Sequence, residues 1–164
     1  MNAIAIVYTS NTGFTARYAA MLSEKLGIPA HPLTEAFNSL PAGTPVIHMG
    51  WLMAGSVVGY KKAAQRFAIA AVIGVGLGDT GAQDDAARKA CKLPAEVPVF
   101  TVQGGMKLSE LQGPYRIAIR LLTRAMAAKK DPTPGEARMT ALLQAGGDFV
   151  SEKELAAVLA WAAQ

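Results

Sequence analysis

The 164-residue chain is long enough for one domain around one sizeable core. Hydrophobic residues make up 51% and charged residues 17%, which excludes a disordered composition. A single cysteine, Cys91, excludes an internal disulfide and a cysteine metal cluster, and a formal net charge of +4 leaves anionic partners open.

The elements alternate along the chain. The opening run AIAIVY, from Ala3, is apolar throughout, as expected of a strand covered on both faces. The start MNAIAIVY has no basic leader and its apolar run is too short for a secretory signal. Thr15 to Leu26 predicts a helix, with Tyr18, Ala19, Leu22 and Leu26 on one side and Gly27 as a stop. Ala30 to Leu33 is a short, weak strand and Pro45 to Met49 a third. Val57 to Phe67 reads as helical, and Ile69 to Val75 as a fully apolar fourth strand. Ala82 to Lys92 is a helix opened by acids, with Cys91 as an inert packed thiol. Val97 to Val102 is the fifth strand.

After Gly104 the pattern changes and no sixth strand is signalled. Met106 to Lys130 reads as long and mostly helical, interrupted at Gly113-Pro114. Asp131 to Gly135 is a break, Glu136 to Ala145 a short helix and Gly146-Gly147 a turn. A closing helix runs from Glu152 to Ala163, with Ser151 and Glu154 spaced as a capping box. Five strands alternating with helices predict an α/β, doubly wound, five-stranded parallel sheet in one domain over 1–164, with helices on both faces and a helical insertion after strand five.

The uncharged stretch between Glu35 and Lys61 holds two prolines and four glycines, so it makes a poor membrane span. A cytoplasmic protein is the expectation. His31 and His48 read as packed or edge residues, Arg17 as a surface arginine, and no spacing suits a metal.

Three loops carry the chemistry. Ser10-Asn11-Thr12-Gly13-Phe14-Thr15 joins the first strand to the first helix. Helix N–H groups and the positive dipole end gather there, hydroxyls of Ser10, Thr12 and Thr15 add donors, and Gly13 allows close backbone approach. Any one hydroxyl alone reads as an ordinary cap; three around a glycine suit a phosphate. After the third strand comes Met49 to Gly55, MGWLMAG. There Trp51 is either a slab for a flat apolar ring or a residue packed under the next helix. After the fourth strand, Gly76-Leu77-Gly78-Asp79-Thr80-Gly81 satisfies the spacing G-x-G-x-x-G. Asp79, Asp84 and Asp85 would repel a pyrophosphate there, and such a fingerprint normally follows a first strand. A loop along the polar edge of a ring and a plain turn are the remaining readings.

The first of these loops resembles the phosphate loop of flavodoxins, T/S-x-T-G-x-T, with Phe14 where that family often has Asn. The resemblance implies a flavodoxin-like fold and noncovalent FMN as cofactor. It implies that Ser10, Asn11, Thr12, Gly13, Phe14 and Thr15 hold the phosphate. Gly50, Trp51, Leu52, Met53 and Ala54 would then cover the ring, and Gly76, Leu77, Gly78, Asp79 and Thr80 would meet its polar edge. No protein acid or base is required, so no catalytic residue is assigned.

The later pattern GG-x-K-L-S-x-L, Gly104 to Leu111, and GGDFV, Gly146 to Val150, are similar to small bacterial flavodoxin-domain proteins of the quinone-dependent protoporphyrinogen dehydrogenase group. That implies an oxidoreductase with a quinone or porphyrinogen as reactant. A flavodoxin-type carrier acting on a redox partner protein, and a cofactor-free binding module, are the alternatives. Arg116, Arg120 and Arg124, spaced by four, predict one basic helix face beside an apolar face of Ile117, Leu121, Leu122, Ala125 and Met126. The basic 107–130 stretch suits an acidic partner, an anionic substrate or peripheral membrane contact. Nucleic acid is not expected, for want of aromatic interleaving, and a homodimer is allowed.

Overall fold

A computed structural model describes residues 2–107, 110–111 and 113–164. Five strands run parallel. They are β1 (Ala5–Thr9), β2 (Ala30–Pro32), β3 (Pro45–Met53), β5 (Ala68–Gly76) and β6 (Val99–Gln103), in the order β2-β1-β3-β5-β6. A short strand β4 (Ser56–Val57) pairs antiparallel with β3 and gives the sheet its sixth strand. Alternation of side chains sorts each strand to two faces. Ile6, Ile47, Met49, Ala71 and Ile73 pack with Tyr18, Ala19 and Leu22 of α1 (Phe14–Leu26) and with Val158 of the closing helix α7 (Ala156–Ala162). On the other face Ala5, Val7 and Val46 meet Leu33 and Ala36 of α2 (Leu33–Ser39) and Ala63 of α3 (Tyr60–Arg66). Val57, Val72 and Val99 meet Ala87 and Cys91 of α4 (Asp84–Cys91). The unbroken apolar runs of the sequence are therefore strands buried on both sides. Cys91 is a packing residue whose Sγ accepts from the Val57 N–H at 3.3 Å.

Four expectations need correcting. Helix α2 has no counterpart in the sequence reading. The stretch expected to be helical from Val57 begins as β4, and the helix starts at Tyr60. Beyond Gly104 two further strands form: β7 (Gly105–Met106) pairs antiparallel with β8 (Gly147–Asp148). The Ser151–Glu154 capping box does not close. Ser151 Oγ accepts from the Lys153 N–H at 3.4 Å, one turn of 3-10 helix spans Glu152–Leu155, and the Glu154 carboxylate accepts from Thr80 Oγ1 instead. A capping box does form at Thr133 and Glu136, opening α6 (Pro134–Ala145) inside the predicted break.

The strands β7 and β8 are the neck of an excursion that leaves the sheet after β6 and returns before α7. Its described helices are α5 (Pro114–Ala127) and α6. Leu108 and Ser109 of the predicted tail motif, and Gln112, lie outside the described residues, as does Met1. Tyr18 pins the return of the excursion to the body. Its buried hydroxyl donates to the Gln103 carbonyl at 2.5 Å and accepts from the Ser151 N–H at 3.3 Å. Among the described residues, no helix is long and apolar enough to cross a membrane.

Candidate functional site

The carboxyl ends of β1, β3 and β5 open into a cavity of about 340 Å³. Its polar end is the loop from β1 to α1, through Ser10, Asn11, Thr12 and Thr15. Ser10 Oγ accepts from the Ala16 N–H at 3.4 Å, which folds the loop back on the helix start. Gly13 caps α1 with φ 88° and offers no side-chain acceptor, Ser10 takes only the Ala16 N–H, and no acid stands in the first turn. The positive end of a helix of 13 residues is thus not neutralised from within, which suits an anion. Gly13 itself faces an adjoining outer cleft rather than this cavity. Phe14 also touches the cavity, but it is only 4% exposed and its ring lies beneath the neck. A Cβ at Gly105 would stand 2.5 Å from Phe14 Cε1 and 2.4 Å from the Gly147 carbonyl oxygen, so only glycine lets β7 lie so close to both. Phe14 is a floor for the excursion.

The second predicted segment is not a loop. β3 continues to Met53, and Ala54 and Gly55, with φ 48° and 78°, make a two-residue turn into β4. Two positive φ values in a hairpin mark a type I′ turn, whose twist matches that of the strands. Trp51, Leu52, Met53 and Ala54 line the cavity. Gly50 does not; it is a buried strand residue, and a Cβ there would meet the Val58 carbonyl oxygen at 2.2 Å. Leu52 lies over β5 at Gly74 and Gly76. Trp51 meets Tyr115 of α5 edge to face, with ring centroids 4.9 Å apart and planes at 89°. Its neighbour is therefore the excursion, not the helix that follows it in sequence.

The third predicted segment divides. Gly76 and Leu77 stand in the cavity wall, together with Gln83, which the sequence reading did not single out. Gly78, Asp79 and Thr80 are absent from the lining. Asp79 accepts two hydrogen bonds from Arg138 of α6, at 2.8 and 2.9 Å. Thr80 Oγ1 accepts from the Gln103 N–H at 3.0 Å and donates to Glu154. Both side chains tie elements of the fold together.

The roof is the largest omission. Leu111, Ile119 and Leu143 form a small apolar cluster with Leu77, and Met106, Met126 and Met139 pack around it and into the cavity. The predicted apolar face of α5 is rotated. Ile119 is buried, whereas Ile117 is 65% and Leu121 59% exposed. The signal was present in the spacing of Ile119, Leu122 and Met126, but Ile117 and Leu121 offered an equally good stripe. Arg116, Arg120 and Arg124 are exposed and, among the described residues, make no ion pair. Arg17 pairs with Asp148 of β8 at 2.6 Å, and that guanidinium holds the carboxyl below its ordinary range.

His48 is fully buried in β3, and its Nε2–H donates to the Val58 carbonyl at 3.2 Å. Burial pushes its pKa down to about 4, so the ring is neutral near pH 7. Among the described residues no group of His, Cys, Asp and Glu could hold a metal ion. The arrangement is a slot with an uncharged, donor-rich end, an aromatic wall and a methionine-lined roof. It suits a flat apolar group carrying an anionic tail. No protein-family model, no curated protein and no solved structure matches the chain.

Proposed function

We propose that the chain is a flavodoxin-like protein that binds FMN noncovalently and transfers electrons through it. One observation carries the reading. The hydroxyl- and amide-rich loop and the Trp51 hairpin, far apart in sequence, line a single cavity. The sheet order adds support. With the hairpin strand β4 set aside, the parallel strands run 2-1-3-4-5 in chain order, the flavodoxin type of double winding. In such sheets ligands bind at the carboxyl ends of the strands, where the winding reverses. The cavity volume, about 340 Å³, lies in the range of about 300–1,000 Å³ usual for cofactor sites.

The residues present fit the group. Ser10, Asn11, Thr12 and the start of α1 would hold the phosphate. Trp51 and Met53 would wall the ring, and Gly76, Leu77 and Gln83 would border its polar edge. FMN supplies the redox chemistry, and this chain supplies orientation and exclusion of water. The roof of α5 and α6 favours an oxidoreductase acting on a small molecule, a quinone or porphyrinogen, over a carrier that presents an open ring edge to a protein. A cofactor-free module would leave the purified protein colourless.

The test is a flavin-fluorescence titration of the apoprotein. The native chain quenches FMN with saturation. Thr12→Ala and Thr15→Ala each weaken binding by roughly 10–100-fold, the cost of a hydroxyl lost from a charged acceptor. Unchanged affinity in both variants rejects the phosphate assignment.

A further inference from the structure

The loop that would hold the phosphate carries no charge of its own. Ser10 to Thr15 contains neither lysine nor arginine, and none of the residues lining the cavity is basic. A phosphate monoester carries close to two negative charges near pH 7. The outer side of the same loop faces an open cleft, where Asn11, Thr12 and Gly13 form one wall and the start of α5 the other. Among the described residues that line cavity or cleft, Arg116 is the one cation.

We infer that Arg116 is a positioning residue for the ligand's phosphate, a charged clamp placed by the inserted helix across the cleft from the uncharged loop. The inference rests on the FMN reading and adds to it a source of selectivity: a phosphorylated flavin over an uncharged one. Three observations argue for it. Arg116 stands in the first turn of α5, just after Gly113 and Pro114 set the helix start, and Gly113 lines the same cleft. Its guanidinium makes no ion pair among the described residues, although five other Lys or Arg side chains do. The one carboxylate on the cleft, Glu110, is already paired with Lys107 at 3.2 Å, and the first turn of α5 holds no acid. A guanidinium left without a carboxylate, lining the same cleft as Asn11, Thr12 and Gly13, has the planar fork that matches two phosphate oxygens. Arg120 and Arg124 line neither cavity nor cleft, so helical spacing alone does not confer the role.

The experiment compares FMN with riboflavin, which lacks the phosphate, by fluorescence titration of the full chain. Arg116→Gln weakens FMN binding about tenfold and leaves riboflavin binding as in the native chain, and Arg116→Lys recovers part of the loss. Added salt weakens FMN binding to the native chain more steeply than to Arg116→Gln. Arg120→Gln and Arg124→Gln bind FMN as the native chain does. Native FMN affinity in Arg116→Gln overturns the inference and leaves the flavin reading standing. An equal loss for both flavins also overturns it, because that marks a disturbed helix rather than a lost phosphate contact. Absence of FMN binding by the native chain takes down the flavin reading and this inference together.

Discussion

The sheet body and the inserted helical pair are held by different means. In the body, every face of the central strands is covered, and side chains such as Ile6, Leu22, Ile47 and Ile73 are fully buried. The excursion has one small cluster, built on Leu77, Leu111, Ile119 and Leu143, and leaves Ile117 and Leu121 in solvent. Its ties to the body include a two-residue neck, the packing on Leu77, the Trp51–Tyr115 contact and the exposed Arg17–Asp148 and Arg138–Asp79 pairs. Stability scales with apolar burial, so local opening of the roof should cost less than opening of the body. A site between the two takes its floor from the densely buried part and its cover from the thinly packed one.

The largest expected effect comes from cutting the body core. Ile73→Ala should lower the free energy of unfolding by about 2–5 kcal/mol, measured by urea denaturation. Leu143→Ala in the roof should act locally, speeding amide exchange across α5 and α6 with little change in the main unfolding transition. Equal losses in the two variants would make the molecule one cooperative unit and break the comparison.

Acid should separate the two regions next. His48 is held neutral in the body with a pKa of about 4, against about 6.5 when unfolded. Between those values the unfolded chain binds the extra proton. The body's stability is therefore full above about pH 6.5 and falls as pH drops toward 4, by on the order of 3 kcal/mol. In the excursion Glu136 has the same sign but a lower pH window. Its hydrogen bonds to Lys129 and Thr133 hold its pKa down to about 2, so its contribution is complete above the usual carboxylate range and is lost progressively as pH falls from there through about 2. Unfolding of the body measured from pH 7 to 4 should show the decline, and His48→Gln should flatten it. The α6 cap should persist at pH 4, read from amide exchange at Ala137 and Arg138.

The neck offers a smaller lever. Gly105→Ala forces a methyl against the Gly147 carbonyl and the Phe14 ring, and should cost about 1–3 kcal/mol, mostly as loosening of β7 and β8. Arg138→Gln removes a solvent-exposed pair and should cost less than about 1 kcal/mol, with less effect at high salt. A loss well above that would mean that Asp79 and Arg138 hold the roof shut.

The body was legible because its signal is redundant. Runs such as AIAIV and IAAVIGV, short, β-branched and bounded by turn residues, suit strands covered twice, and all of the loop from Ser10 to Thr15 except Gly13 lines a cavity. What escaped was local geometry with a weak code. LTEAFNS buries only Leu33 and Ala36, too few for a periodicity to stand out in seven residues. MGWLMAG carries one glycine at a turn that needs two positive φ values, so Ala54 disguised the hairpin. Gly50 looked like a ring-facing residue, but its missing side chain answers to Val58. Asp79 and Thr80 looked like part of a ligand loop because their partners, Arg138 and Glu154, lie far along the chain. The roof was visible as an amphipathic helix, yet α5 offers two stripes, and only packing against α6 chooses Ile119 over Ile117.

The central claim is that one ligand spans the first loop and the Trp51 hairpin. Amide chemical shifts recorded while FMN is added to the labelled apoprotein test it most directly. The account predicts that Ser10 to Thr15, Trp51 to Ala54, and Gly76 with Leu77 shift together along one saturating curve. Saturating FMN that leaves these amides unmoved, or that moves residues on some other face, would contradict it.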